Sequence, residues 1–212
     1  MNNIDVALYV VTDRGILGKR DFFKSIEEAI LGGATVVQLR EKNISTLEFH
    51  NIAVNVKELA TKYNVPLIIN DRIDIALSCD ADGLHIGQDD MPLEIARKIL
   101  GEHKIIGVSV RTEKEALLAE NNGADYLGVG AIYPTGSKDD ATLVGLEKLK
   151  NIKAIVKVPV VAIGGISEAN CEEVMEFKAD GIAVISAVFG KEDIKGSSQR
   201  LIKIVKDICN KL

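Results

Sequence analysis

Short apolar runs rich in β-branched residues recur along the chain, and each is followed by a segment of mixed polarity. A run of roughly four to eight such residues, bounded by turn-forming residues, is typical of a buried strand. The runs cover residues 6–12, 35–40, 66–70, 83–87, 104–109, 125–130, 158–164 and 181–186. We therefore predict strands at all of these places.

The segments between the runs have apolar residues at helical spacing. The predicted helices cover residues 22–33, 46–63, 73–79, 93–100, 113–123, 146–156, 168–177 and 199–209. Strands that alternate with helices, without hairpin signals, indicate parallel strands joined by right-handed crossovers. This pattern predicts an α/β fold, a single (β/α)8 TIM barrel domain over residues 1–212. The alternative, a doubly wound open sheet, usually carries an early glycine-rich loop, and here TDRGILGKR follows the first strand.

Composition narrows the classes of protein that fit. The chain has 212 residues, of which 47% are hydrophobic and 27% charged, so it is long enough to bury a sizeable core. Its net charge of -5 argues against general affinity for nucleic acid or an anionic membrane. We therefore expect no nucleic-acid or membrane partner, and any anionic ligand must be bound by a local cluster of cations.

The cysteines and the apolar runs predict the location. Cys79, Cys171 and Cys209 are widely spaced and form no CxxC pair, which argues against a disulfide framework or a structural zinc site. No apolar stretch approaches the roughly 18 residues that span a bilayer. We predict a cytoplasmic protein with reduced thiols; the sequence does not predict its oligomeric state.

Polar residues are concentrated after the strands, where a barrel of this type places its active site. Asp71 and Asp90 follow neighbouring strands, whose axes should lie about 4.8 Å apart. Two carboxylates at that spacing can share a hard cation with water and substrate oxygens, and Mg²⁺ is the natural candidate. Each aspartate could instead cap the helix that follows it.

Cations follow the second and sixth strands. Period-2 alternation places Gln38 and Arg40 on one face, which points inward if Arg40 lies at the top of the barrel. With Lys42 and Lys138, Arg40 would form a cluster suited to phosphate oxygens. Lys42 and Lys138 could instead be solvated loop residues.

A second candidate anion site follows the last two strands. Gly164 and Gly165 end the seventh strand, Ser167 is a plausible N-cap for the next helix, and Ser186 ends the eighth strand. Many barrels bind phosphate at this position, although the glycines could serve packing alone. His85 shares its face with residues lacking side chains, and we interpret it as a hydrogen-bonded histidine of the barrel interior rather than a ligand.

The ordered segments LYVVTDR, VVQLREK, LIINDRIDIA, ADGLHIGQDD, GVSVRT, GADYLGVGAIYPTGSK, AIGGIS and GIAVISA resemble the thiamine-phosphate synthase family. The resemblance covers residues 8 to 189, and its specific parts are QLREK, IINDR with GQDD, and the YPTGSK loop. It implies a barrel transferase of thiamine biosynthesis. Such an enzyme joins hydroxymethylpyrimidine diphosphate to a thiazole phosphate, giving thiamine phosphate and diphosphate.

The resemblance also implies site residues, carried over position by position. Those implied for the pyrimidine diphosphate are Gln38, Leu39, Arg40, Glu41, Lys42, Asn70, Ser109 and Lys138. Those implied for the thiazole phosphate are Thr135, Gly136, Ser137, Gly165, Ile185 and Ser186. Asp71 and Asp90 correspond to ligands of one Mg²⁺ ion. Among these residues, Arg40, Lys42, Ser109 and Lys138 are expected to act on the reacting groups.

The chain departs from the family pattern at Arg111, where histidine is common, and we leave its role open between binding phosphate and capping charge on the next helix. A thiazole tautomerase-like barrel is the nearest alternative, but it has no diphosphate to expel. A non-catalytic barrel that binds thiamine intermediates would not need an aspartate pair beside a cationic cluster. A Schiff-base aldolase needs a lysine within a strand, and none of the predicted strand interiors carries one.

Overall fold

Eight short strands form the centre of the computed structural model, which describes residues 4–136 and 143–210. The strands are β1 (Leu8–Val11), β2 (Val36–Leu39), β3 (Leu67–Asn70), β4 (Gly83–Ile86), β5 (Ile105–Val110), β6 (Tyr126–Val129), β7 (Val160–Ile163) and β8 (Gly181–Val184). Each pairs in parallel with the next along the chain, and β8 pairs with β1 to close the ring. The prediction of a (β/α)8 barrel is confirmed, and every strand lies within its predicted segment or within one residue of it.

Helices connect the strands and cover the outside of the ring. Within the described residues they are α1 (Arg14–Leu17), α2 (Phe22–Leu31), α3 (Thr46–Lys62), α4 (Ile73–Ser78), α5 (Leu93–Leu100), α6 (Glu113–Asn121), α7 (Leu146–Ile155), α8 (Cys171–Glu176), α9 (Ser186–Phe189) and α10 (Ile194–Cys209). Side chains that accept backbone N–H groups cap several of them, including Asp21, Ser45 and Thr112. None of the helices in these ranges has the length and apolar character that a membrane span needs.

Period-2 alternation divides the strand residues into two layers. Outward residues such as Val37 and Leu39 pack against the helices in a continuous apolar layer. Inward residues such as Val36, Ile68 and Val161 fill the barrel interior in a separate, smaller cluster. Gln38 is only 5% exposed and lines the interior cavity, as the alternation predicted.

The amino-terminal ends of the strands are held by a repeated polar contact. An aspartate lies directly before each of β4, β6 and β8. Its carboxylate accepts a backbone N–H near the start of β3, β5 or β7, respectively, and pairs with a cation of α3, α5 or α7. The three sets are Asp82 with Leu67 N (2.8 Å) and Lys57, Asp125 with Ile106 N (2.9 Å) and Arg97, and Asp180 with Val160 N (2.7 Å) and Lys153. Before β2, the hydroxyl of Thr35 accepts the N–H of Leu8 at 3.0 Å. We call these contacts the strand clamps.

One predicted cap is wrong. Ser167 does not cap α8, because residues 167–170 form a turn and the helix begins at Cys171. The carbonyl of Ser167 accepts the N–H groups of Asn170 and Cys171, and the side-chain oxygen of Asn170 accepts the N–H of Ser167 at 2.8 Å. The turn holds the loop after β7 in place before the helix starts.

Candidate active site

A cavity of about 170 Å³ opens at the carboxyl ends of the strands. Every strand contributes a residue to its lining, either from the strand itself or from the loop that follows. Its polar lining consists of Tyr9, Gln38, Arg40, Asn70, His85, Ser109, Arg111, Tyr126, Thr135 and Ser186. The predicted concentration of polar groups at this end of the barrel therefore corresponds to one cavity.

Four of the residues expected at the pyrimidine diphosphate line this cavity: Gln38, Arg40, Asn70 and Ser109. The Arg40 guanidinium lies 3.4 Å from the carboxylate of Asp13, so the loop after β1 orients the side chain. The Arg40 backbone N–H donates to the hydroxyl of Thr12 at 3.0 Å, which fixes the end of β2 against the end of β1. The result is a half-buried cation that lines a largely apolar cavity.

The rest of that segment points elsewhere. Leu39 is fully buried in the layer between strands and helices, so only its backbone is near the site. The Glu41 carboxylate accepts a hydrogen bond from Arg14 Nε at 2.7 Å, and burial raises the pKa of Glu41 although Arg14 opposes the shift. Glu41 thus tethers the loop after β2 to α1, whereas Lys42 turns toward the end of β3.

Asp71, Asp90 and Lys42 form a charged cluster just past the end of β3. None of the three lines the cavity itself, which is lined there by the preceding residue, Asn70. Lys42 Nζ donates to Asp71 Oδ2 at 2.7 Å, and the Gly87 N–H donates to Asp90 Oδ2 at 2.7 Å. Asp71 has a φ of 62°, a left-handed conformation that turns its side chain at the end of β3. The sequence prediction that these two aspartates lie together therefore agrees with the geometry.

The two carboxyl groups titrate as neighbours that share a hydrogen bond. Burial opposes the ionisation of Asp71, but hydrogen bonds with Lys42 and Asp90 and the charge of Lys42 hold its pKa below the ordinary value. Burial, and then the adjacent Asp71 carboxylate, raises the pKa of Asp90 despite the Gly87 N–H. Such a pair favours either one retained proton or a cation in its place. No third carboxylate, histidine or cysteine joins them within the described residues.

Five side chains at the bottom of the cavity form a continuous chain of hydrogen bonds, which we call the interior relay. It runs from Gln38 Nε2 to Tyr9 Oη (2.7 Å), to Tyr126 Oη (2.7 Å), to His85 Nδ1 (2.9 Å), and from His85 Nε2 to Ser109 Oγ (2.9 Å). His85 is thus a hydrogen-bonded interior histidine, as predicted. The relay joins Gln38 and Ser109, two residues that the family resemblance assigns to the same substrate.

The residues expected at the thiazole phosphate lie on the other side of the cavity. Thr135, Gly165, Ile185 and Ser186 line it, and Gly136 follows Thr135 in the loop. Gly165 has a φ of 66°, and a Cβ there would lie 2.7 Å from the carbonyl oxygen of Pro134, so only glycine fits against the loop. Ser137 and Lys138 lie outside the described residues.

Arg111 also lines the cavity, two residues beyond Ser109 and therefore on the same face of the chain. Its backbone N–H donates to Glu115 Oε2 at 2.6 Å, so the backbone rather than the guanidinium engages α6. The side chain has no ion pair within residues 4–136 and 143–210. This arrangement favours anion binding over helix capping for Arg111.

Comparison with known proteins adds to this geometry. The model of the family described as thiamine monophosphate synthase matches residues 8–188. The chain belongs to that family. The thiamine-phosphate synthase of Clostridium tetani is 58% identical over 94% of this chain and 95% of its own length. The thiamine-phosphate synthase of Clostridium acetobutylicum is 58% identical over 97% of this chain and 98% of its own.

A solved structure shows the same likeness in three dimensions. The thiamine phosphate pyrophosphorylase of Pyrococcus furiosus superposes with a TM-score of 0.90 at 46% identity, over 96% of this chain and 97% of that one. The thiamine monophosphate synthase barrel therefore extends over nearly the whole chain, as the sequence segments predicted.

Two residues of this thiamine monophosphate synthase barrel were not among the predicted site residues. Tyr9 and Tyr126 lie in apolar runs and are each 1% exposed, so their sequence context is that of core aromatics. The signal available in the sequence was a glycine on each of the neighbouring strands β5 and β6. A Cβ on Gly107 would overlap the Tyr126 ring, and one on Gly128 would lie 3.1 Å from His85 Cε1. Both glycines leave room for the interior relay.

Proposed function

We propose that this protein is a thiamine-phosphate synthase acting by a magnesium-assisted dissociative substitution. It would join 4-amino-2-methyl-5-hydroxymethylpyrimidine diphosphate to 4-methyl-5-(2-phosphoethyl)thiazole, or to the carboxylated form of that thiazole. One observation carries the proposal. A carboxylate pair with Lys42 beside it lies next to a cavity lined by Gln38, Arg40 and Ser109. That combination of cations, hydrogen-bond donors and a carboxylate pair suits a diphosphate with its cation.

With the thiazole phosphate that has no carboxyl group, the reaction breaks one bond and forms one. The carboxylated form would in addition have to release CO2 and take up one proton to give the same product. The bond between the pyrimidine methylene carbon and the diphosphate oxygen breaks, and the oxygen keeps the electron pair. The aminopyrimidine delocalises the positive charge left on carbon. The thiazole nitrogen then donates its lone pair to that carbon, giving thiamine phosphate without any proton transfer.

The protein's task is therefore to stabilise the leaving group and align the nucleophile. Arg40 and Lys42 would bind the departing diphosphate, together with Lys138 from the loop after β6. The Ser109 hydroxyl would donate a hydrogen bond to a phosphate oxygen. Thr135, Gly136, Ser137, Gly165, Ile185 and Ser186 would hold the thiazole phosphate.

Asp71 and Asp90 would hold one Mg²⁺ ion, which when bound neutralises charge on the diphosphate. Two carboxylates fit this ion, because Mg²⁺ is commonly held by one or two carboxylates with substrate phosphates and water as the other ligands. Lys42 then has two roles at one place. It pairs with Asp71 in the free enzyme at 2.7 Å, and it would contact the diphosphate once the ion replaces it at Asp71.

The contact between Ser109 and His85 does not make a nucleophile and base pair. Such a pair needs a third group that stabilises the imidazolium, usually a carboxylate on the other ring nitrogen. Here that nitrogen faces the Tyr126 hydroxyl, and burial raises the pKa of Tyr126 well above its ordinary value. A neutral phenol gives the imidazolium no such support, so Ser109 is suited to donating a hydrogen bond.

The test is to mix purified protein with both substrates, with and without Mg²⁺, and to detect thiamine phosphate by the fluorescence of its oxidised product. Formation of product only with Mg²⁺ is the expected result, and no product with Mg²⁺ present would favour a binding protein. Lys138→Ala and Asp71→Asn variants test the assigned roles. Near-normal rates in both would contradict them.

The same proposal describes a cytoplasmic enzyme with one barrel domain over residues 1–212 and small phosphorylated molecules as its substrates. It is supported by the net charge of -5 and by the free thiols of Cys79, Cys171 and Cys209. Cys79 and Cys171 are buried, and burial raises the pKa of both thiols. The two thiols are therefore suited to packing rather than to reaction.

A further inference from the structure

The interior relay has a direction, because each of its members can donate only where the next one accepts. A neutral tyrosine has one hydroxyl proton, and a neutral imidazole has one N–H. Tyr9 and Tyr126 are fully buried, and burial raises the pKa of both, so both stay protonated. Reversing one hydrogen bond in the chain therefore requires reversing all of them.

The anionic substrate of the proposed function selects one of the two directions. A diphosphate oxygen accepts hydrogen bonds only, so Ser109 must donate to it, and the Ser109 oxygen then accepts from His85 Nε2. His85 Nδ1 must in turn accept from Tyr126, Tyr126 from Tyr9, and Tyr9 from the Gln38 amide. The amide orientation in the structure is the same, with Gln38 Nε2 donating to Tyr9 at 2.7 Å.

In this direction the carbonyl oxygen of Gln38 accepts nothing from the relay, so it is available to a ligand in the cavity that Gln38 lines. A carbonyl oxygen accepts from an amino group and repels another carbonyl. We infer that the interior relay, with Tyr9 and Tyr126 as positioning residues, fixes the Gln38 carboxamide so that the site selects an aminopyrimidine over the corresponding oxopyrimidine. This inference rests on the proposed function for the identity of the substrate.

Apolar side chains could fill the space of the relay without needing any partner, which indicates that the relay does more than give buried polar groups their hydrogen bonds. Elsewhere the interior is filled by apolar side chains such as Val36, Ile105 and Val161. Phenylalanine at positions 9 and 126 would fill nearly the same volume without needing any partner. Two tyrosines are present instead, and Gly107 and Gly128 on adjacent strands leave the space that the Tyr126 and His85 rings occupy.

The inference is tested by binding, which does not depend on turnover. Calorimetry with Mg²⁺ and without thiazole compares the pyrimidine diphosphate with its 4-oxo analogue, for the parent protein and for Tyr9→Phe and Tyr126→Phe variants. We expect the parent to prefer the amino compound by about tenfold or more, and each variant to lose most of that preference. The Tyr63→Phe variant is the matched control, because Tyr63 bonds to Glu27 outside the barrel. It should keep the full preference.

A double-mutant cycle tests whether the relay transmits its direction. Tyr126 and His85 separate Tyr9 from Ser109 in the relay. If the two residues act independently, the factors by which Tyr9→Phe and Ser109→Ala change the dissociation constant should multiply in the double variant to within about twofold. We expect a departure larger than that in the dissociation constant of the pyrimidine diphosphate. Unchanged preference in both tyrosine variants, or independent effects in the cycle, would overturn the inference. Binding with the expected preference but no turnover would instead overturn the synthase assignment alone.

Discussion

Replacing Asp90 by asparagine should stabilise the free protein and remove its response to magnesium. The Asp90 carboxyl group lies against that of Asp71, and burial together with that neighbour raises its pKa, so the ionised pair is strained near neutral pH. Asparagine has nearly the same shape. Its side-chain oxygen can still accept the Gly87 N–H, now at 2.7 Å from Asp90, and its amide can donate to Asp71.

The size of the effect follows from the partial exposure of the pair. Relief of repulsion between half-exposed charges is about 0.5–1 kcal/mol, because solvent screens them. In a chain of this length that corresponds to a rise in melting temperature of about 1–4 °C. A ligand at a hundred times its Kd stabilises by about 2.7 kcal/mol, or about 5–10 °C, and this gain should occur in the parent protein alone.

The assay is thermal unfolding in EDTA and in Mg²⁺ with inorganic diphosphate. The Asp90→Asn variant should melt above the parent protein in EDTA and below it in Mg²⁺ with inorganic diphosphate. Asp89→Asn is the control, since Asp89 is the adjacent exposed carboxylate. An Asp90→Asn variant that melts below the parent in EDTA, or whose melting temperature still rises with Mg²⁺, would contradict the roles given to the two carboxyl groups.

Three further predictions concern the clamps and the cations. Asp125→Ala should lower the free energy of unfolding by about 3–5 kcal/mol in a urea titration, because the carboxylate is 3% exposed and its loss deprives the largely buried Arg97 guanidinium of its counter-charge. Asp82→Ala, where the carboxylate is 35% exposed, should cost about 1–2 kcal/mol, and equal losses in the two variants would contradict this. Lys138→Ala should lower kcat/KM by about a hundredfold or more at unchanged melting temperature, whereas Lys150→Ala on the exposed face of α7 should not. Arg111→Gln should raise the KM of a phosphorylated substrate about tenfold, and unchanged KM values for both substrates would leave helix capping as its role.

Most of the fold could be predicted because the spacing of apolar residues within each short segment distinguishes strands from helices. The segment 93–100 was predicted with the bounds that α5 has. The last helix was predicted from residue 199, but α10 begins at Ile194 because the Asp193 side chain accepts the Gly196 N–H at 2.8 Å. Its first turns contain Gly196, Ser197 and Ser198, which are weak helix formers, so the cap and the packing of the two buried serines decide the start.

The site could be predicted where a polar side chain interrupts an apolar run at the end of a strand. Gln38, Arg40 and Ser109 stand out in this way. Tyr9 and Tyr126 do not, because an aromatic residue within a strand has the same local pattern whether its hydroxyl is used or not. The interior relay to which they belong joins side chains from five strands inside a closed ring, and no single segment encodes that arrangement. The roles of Ser137 and Lys138 stay predictions.

The strand clamps recur every two strands, and their position determines which parts of the barrel can vary in sequence. An aspartate holds each of the last three strand pairs at its amino-terminal end, and Thr35 does so in the first pair. The contacts therefore divide the ring into four clamped pairs of neighbouring strands. Because these contacts lie at the end opposite the cavity, substitutions in the loops around the cavity leave the clamped strand pairs, and with them the closed ring, intact.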